Sequence, residues 1–182
     1  MLGTAMRIAS ILCIGWMLAS GVVAAPARVV PQEKKDYLTD SEADKIRDAN
    51  NPSDRIKLYV SYADDRLKKF EYELTRTTPE RRRGEILNGL MNAYSGCVDD
   101  AADQIDDAKE KQLNINPSLK LLESKGKQFL AQLEKIDQSP GPDVDSYKGT
   151  LEDAIEATKD AISDAQKAQK EMLPAPVRRN PS

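Results

Sequence analysis

The chain has 182 residues, enough for one domain with a substantial core. Charged residues make up 31% and aromatic residues only 5%, a balance that favours long helices over a sandwich or barrel. The formal net charge of -3 argues against general nucleic-acid binding, which requires a basic surface.

Arg7 is followed by an apolar run from Ile8 to Ala25, with small residues Ala24, Ala25 and Ala27 at its exit. A basic start, an apolar stretch and a small-residue exit are the three parts of a secretory signal, so residues 1–24 are read as a signal peptide and the protein as exported, periplasmic or secreted. Cleavage after Ala24 places Val22 and Ala24 at the two small-residue positions; cleavage after Ala27 is the second possibility. The opposing reading is an uncleaved membrane anchor, because a run of about 18 residues sits at the spanning threshold. Membrane association is expected only in that case. Cys13 and Trp16 lie in this segment, so Cys97 is the one cysteine left, either buried or paired between chains.

Residues 25–38, with Pro26 and Pro31, read as an extended linker ahead of a helical domain spanning 39–172. Thr39 and Glu42 have the spacing of a capping box and open a short helix to about Ala49. Asn51 and Pro52 then supply a cap and a first helical residue. The second helix runs to about Thr75, with Ile56, Val60, Ala63, Leu67, Phe70 and Leu74 at alternating steps of four and three. After Thr77 and Thr78, with Thr78 as cap, the third helix runs from about Pro79 to Leu113 on the seam Leu87, Met91, Tyr94, Val98, Ala101, Ile105 and Ala108. Gly84, Gly89 and Gly96 interrupt it and mark a kink or a close helix contact. The fourth helix, from Pro117 to about Gln138, carries Leu119, Leu122, Gly126, Phe129, Leu133 and Ile136. The fifth, from about Asp143 to Met172, carries Val144, Tyr147, Leu151, Ala154, Ala161, Ala165 and Ala168. Thr158 breaks that seam with a hydroxyl, and Ile155 and Ile162 beside it are expected to carry much of the burial. Pro174, Pro176 and Pro181 make residues 173–182 a disordered tail.

Four seamed helices on short loops predict an all-α fold: an antiparallel up-down-up-down bundle with coiled-coil seams and one short N-terminal helix. Asn-Pro-Ser opens both the second and fourth helices, 65 residues apart, which admits a duplicated hairpin or a chance recurrence of a common cap. The fourth helix is shorter than the third by about 13 residues, or ~20 Å. The tip of the second–third hairpin is therefore expected to project beyond the other two helices and leave Phe70, Leu74, Leu87 and Leu90 without partners. Arg76, Arg81, Arg82 and Arg83 rim the same tip. Arginines in the first turn of a helix oppose its dipole, and an apolar patch edged with Arg is a usual interaction surface. The alternative is simple pairing with Glu71, Glu73, Glu80 and Glu85.

The sequence contains no His, which removes Ser-His-Asp and Cys-His catalysis, His-ligated zinc, di-iron bundle sites and haem. No Gly-rich phosphate loop occurs. No cofactor and no enzymatic activity are expected. Asp99, Asp103 and Asp106 share one helix face and form a possible weak cation patch, set against a solvated face paired to lysines.

The stretch from Tyr37 to Phe70, with Leu-Thr-Asp-Ser-Glu-Ala-Asp-Lys-Ile-Arg-Asp-Ala and Arg-Ile-Lys-Leu-Tyr-Val-Ser-Tyr-Ala-Asp-Asp-Arg-Leu-Lys-Lys-Phe, loosely resembles uncharacterised exported helical proteins of acidobacterial type. The resemblance implies export and helicity, and no activity. The expected function is therefore non-enzymatic: protein–protein interaction, self-association or envelope scaffolding through the hairpin tip. A periplasmic holdase-like chaperone and a weak cation- or anion-binding module are the alternatives.

Overall fold

Helix boundaries follow from what the sequence offers to the free backbone groups at each helix end. The computed structural model describes residues 36–78 and 81–172; the expected signal segment, most of the linker and the proline-rich tail lie outside the described residues. Five helices are present: α1 (Asp40–Asp48), α2 (Pro52–Thr75), α3 (Arg83–Glu110), α4 (Asn116–Gln138) and α5 (Val144–Glu171), with no strand among the described residues. Thr39 opens α1 with the full capping box, its hydroxyl accepting from Glu42 N–H while the Glu42 carboxylate accepts from Thr39 N–H. Asn51 Oδ1 accepts from Asp54 N–H at 2.9 Å, with Pro52 in the first turn of α2.

Two helix starts depart from expectation. The second Asn-Pro-Ser does not repeat the side-chain cap of the first. The Ile115 carbonyl accepts from Ser118 and Leu119 at 3.0 Å each, and Asn114 Oδ1 accepts from Asn116 N–H. α3 begins at Arg83, four residues after Pro79, and Thr78 is not its cap. Helical structure starts there where α3 first meets α5: Arg83 Nε donates to Asp143 at 2.7 Å and Gly84 lies against Ser146. α3 ends on a left-handed Gln112 (φ 52°), with Gln112 N–H bonding Lys109 O and Leu113 N–H bonding Ala108 O. This is the two-bond C-terminal motif usually closed by glycine.

The seams form the core. Ile56 to Phe70 on α2, the whole of the α3 seam, and Leu119 to Ile136 on α4 are buried. On α5 the division differs from expectation: Tyr147, Leu151, the seam alanines and Thr158 are buried, whereas Ile155 and Ile162 are half-buried. Small residues let α5 approach its neighbours closely. Thr158 fits because its hydroxyl donates to Ala154 O at 2.6 Å and accepts from Tyr94 OH at 2.7 Å, leaving no orphan. A Cβ on Gly126 would meet Ile162 at 2.8 Å, so this glycine also marks a close helix contact.

α2 packs on α3 and α4, and α5 packs on α3 and α4, while α1 leans on α2. Ser53 in the first turn of α2 touches Ser118 in the first turn of α4 at 3.0 Å. Lys109 near the end of α3 reaches Glu171 at the end of α5 at 3.2 Å.

The hairpin tip is not left unpartnered. The Phe70 ring meets Tyr147 of α5 edge-on at 5.1 Å, and Leu74 lies against Gly141 in the α4–α5 connection. Phe70 and Leu87 are fully buried, and Leu74 and Leu90 are half-buried against the core. The length comparison failed because α3 has 28 residues and α4 has 23, so the expected difference of about 13 residues shrinks to five. α5 has the same 28 residues as α3, and Gly141 and Asp143 bring the α4–α5 connection onto the tip.

Replacing Phe70 by Ala is expected to cost about 3–5 kcal/mol in urea denaturation, as for a core ring; a surface residue would change stability by under about 0.5 kcal/mol. Gln112→Gly relieves a left-handed non-glycine residue and is expected to raise stability by about 0.5–1 kcal/mol in the same assay.

Candidate functional site

The candidate residues divide into three groups once placed on the fold. Of the apolar tip residues, Phe70 and Leu87 belong to the core and Leu74 and Leu90 are half-buried against it. The arginines around them behave individually. Arg76 bonds Glu73 at 3.2 Å, Arg82 pairs with Glu85, and Arg83 is mostly covered and tied to Asp143. Arg81 and Arg82 are exposed. Among the described residues Arg76, Arg82 and Arg83 are thus paired with local carboxylates, and the exposed Arg81 and Arg82 flank the α2–α3 connection.

The aspartate row does not assemble a site. Asp99, Asp103 and Asp106 are all exposed, and Asp106 pairs with Lys109 at 3.7 Å. Among the described residues no group of three or more carboxylate or thiol side chains is placed to hold a metal ion. The helix repeat puts these residues on one face, and that face is exposed.

Two features were not anticipated. The first is Tyr72, in the last turn of α2, which is 62% exposed and carries the Arg76 guanidinium 6.0 Å from its ring centroid. It lies off the α2 seam, so apolar periodicity does not single it out. The second is a buried polar patch between the segment preceding α1, α2 and α3. Arg66 is only 6% exposed. It donates to Glu42 at 2.6 Å, to Asp65, and to the Tyr37 carbonyl at 3.5 Å. The Tyr37 hydroxyl donates to Asp100, which is 5% exposed, and the Tyr37 ring lies on Gly96, where a Cβ would sit 2.8 Å from it. Tyr62 completes the patch with a buried hydroxyl that has no hydrogen-bond partner. Cys97, next to Gly96, is a buried free thiol.

Charge in this patch is divided unequally. Burial pushes the Glu42 carboxyl up, but the bonds from Arg66 and from the Thr39 backbone and hydroxyl outweigh it and hold Glu42 below its ordinary value. Asp100, which accepts from the Tyr37 hydroxyl, is shifted the other way. Burial, and then the negative charge of Asp103, push it up to about 7. A linker segment expected to be extended therefore contributes Tyr37 and the buried Leu38 to the packed structure. The sequence signal available was the aromatic-leucine pair directly before a capping box, where an apolar residue commonly staples the first turn.

Among the described residues no helix is long and apolar enough to cross a membrane.

Arg66→Ala leaves Glu42 buried without its counter-ion and is expected to cost about 3–5 kcal/mol, whereas the double change Arg66→Met, Glu42→Gln should cost clearly less. Because Glu42 is depressed in the folded state, the pair's contribution is present above pH 4.5 and is lost as pH falls below it. Urea denaturation at pH 7 and pH 3 measures both effects.

No protein-family model matches the sequence, and neither a curated protein nor a solved structure is similar to the chain, so function must be argued from these residues.

Proposed function

We propose that this chain is an exported, non-enzymatic helical-bundle protein that contacts another protein, or a second copy of itself, at the α2–α3 connection. The observation that carries the reading is Tyr72, highly exposed, with Arg76 over its ring and exposed Arg81 and Arg82 across the connection. Tyrosine and arginine are the residue types most enriched at interface hot spots, because each combines large contact area with directional polar groups. This surface replaces the apolar one that the core has absorbed. A holdase reading is less well supported, since Tyr72 and Leu113 are the only large apolar side chains exposed among the described residues. Export rests on the N-terminal sequence pattern.

The helix directions supporting this surface are read from pairs of touching residues. Ser53 with Ser118, Asp64 with Lys125, Arg83 with Asp143, Asn88 with Thr150, Tyr94 with Thr158, and Lys109 with Glu171 pair early residues with early and late with late. The arrangement we infer is two antiparallel hairpins, α2–α3 and α4–α5, lying side by side. The chain then alternates direction through the four long helices, while α2 runs with α4 and α3 with α5. The near-constant separation of these pairs supports a duplicated hairpin.

A photo-crosslinking residue at position 72 is expected to give a discrete adduct in the native envelope, while the same residue at the exposed Lys159 gives none. The adduct should disappear in Arg81→Glu, Arg82→Glu with thermal unfolding unchanged. Equal labelling at both positions, or an adduct indifferent to the arginines, would reject the surface.

A further inference from the structure

We propose that the partner at the α2–α3 connection is a second copy of this chain, with Arg81 and Arg82 of each copy set against Asp103 and Asp106 of the other across two antiparallel α3 helices. This deepens the reading above and rests on the same surface. Its first ground is the outer side of α3. Gly89, Asn92, Asp99, Asp103, Asp106 and Glu110 follow one another at steps of three, four or seven residues, and all are exposed. Gly96, in the middle of the run, lies under Tyr37 instead. The second half of the stripe is acidic throughout. Among the described residues Asp103 and Glu110 form no ion pair, and Asp106 has Lys109 alone, at 3.7 Å. Like charges one turn apart repel, and acids near a helix C-terminus oppose its dipole. Arg81, Arg82 and Arg83 stand around the start of the same helix, again against the dipole. Glu85 in the first turn and Lys109 in the last offset only part of this. A helix with unlike charge at its two ends is complementary to an antiparallel copy of itself.

Gly89 and Asn92 place the crossing. A glycine inside a helix is destabilising relative to alanine and is of use where another group comes close. Gly84 and Gly96 have such neighbours: a Cβ would meet Ser146 at 2.6 Å and Tyr37 at 2.8 Å. Around Gly89 nothing lies within 4 Å of the Cβ it lacks. The approach of a second backbone gives that position a purpose. Arg82 and Asp103 lie about ten residues either side of Asn92, or ~16 Å along the helix axis. A two-fold axis at Asn92 therefore sets Arg82 of each copy beside Asp103 of the other, with Arg81 within a turn of Asp106. The Asn92 amide, both donor and acceptor, can pair with its own copy at the axis. Arg82 is already paired with Glu85, but both are exposed and such a pair contributes little, so exchanging it for Asp103 returns Glu85 to water at small cost. Arg81 forms no ion pair among the described residues.

Sedimentation equilibrium on the chain purified from its native envelope tests this, and a dimer is expected. Arg81→Glu with Arg82→Glu, and separately Asp103→Lys with Asp106→Lys, should each weaken that dimer by at least about tenfold with helical content unchanged. All four changes in one chain, or an equimolar mixture of the two double variants, should bring it back to within about threefold, because unlike charges then meet again. Gly89→Gln, a better helix former, should raise the unfolding temperature of the monomer yet weaken the dimer. A chain that stays monomeric at about 100 μM, a dimer indifferent to either double variant or to Gly89→Gln, or double variants that do not complement each other would each overturn the self-contact. If the chain is monomeric while position 72 still gives its arginine-dependent adduct with another protein, the surface stands and the second copy alone is rejected. If that adduct is missing as well, both readings fall.

Discussion

Close approach of α3 and α5 is the constraint on which the rest of the packing depends. Ala154, Ala161, Ala165 and Ala168 on α5 share one core with Tyr94, Val98, Ala101 and Ile105 on α3, and the two helices are tied near both ends by Arg83–Asp143 and Lys109–Glu171. Alanine seams bury little apolar area per residue. The volume they leave is filled by rings that reach across the bundle. Phe70 of α2 meets Tyr147 of α5, and Tyr94 of α3 meets Phe129 of α4, both edge-on. These helix pairs are the ones that do not pack backbone to backbone. The two T-shaped pairs therefore brace the diagonals, while small residues bring the adjacent helices together.

Much of this fold was legible because a four-three repeat of apolar residues has one structural consequence, an α-helix with a buried stripe. The seams on α2, α3 and α4, the capping box at Thr39 and the cap at Asn51 were all readable from local pattern. What was not readable is three-dimensional. Thr158 looked like an interruption because a hydroxyl is unfavourable in a core until it has partners, and Tyr94, the partner across the interface, lies 64 residues away. The tip looked open because a third helix read from about Pro79 to Leu113 is longer at both ends than the observed Arg83–Glu110. The second Asn-Pro-Ser looked like a side-chain cap because the tripeptide allows one, but the Ile115 carbonyl and Asn114 took that role.

The polar patch under Tyr37 and α1 escaped for a related reason. Arg66 sits beside the α2 seam and Asp100 between seam residues of α3, positions that read as solvated flanks in a bare four-helix bundle. They become buried only because Tyr37, Leu38 and α1 fold back over them. Composition offers no hint of this, since both residues are surrounded in sequence by other charges. The same logic explains the surface. Once Phe70 and Leu87 are enclosed, the exposed character of the tip is set by Tyr72 and the arginines, which sequence periodicity treats as filler.

Two side-by-side hairpins, on the arrangement proposed above, would each have one outer flank that the other does not cover. Tyr37, Leu38 and α1 cover the flank of α2 and α3, with Tyr37 on Gly96 and Ile46 buried. On α4 and α5 the outer side is polar instead: Glu123 accepts from Gln166 and Gln169 at 2.9 Å each and pairs with Lys127 at 2.7 Å. Stacked helical hairpins require terminal faces of this polar kind to avoid continuing into an array. The flank closed by hydrogen-bonded amides needs no cover. The other flank is covered by a nine-residue helix with one buried helical side chain, Ile46, together with Tyr37 and Leu38, so its closure depends on apolar contacts where the α4–α5 side relies on hydrogen-bonded amides.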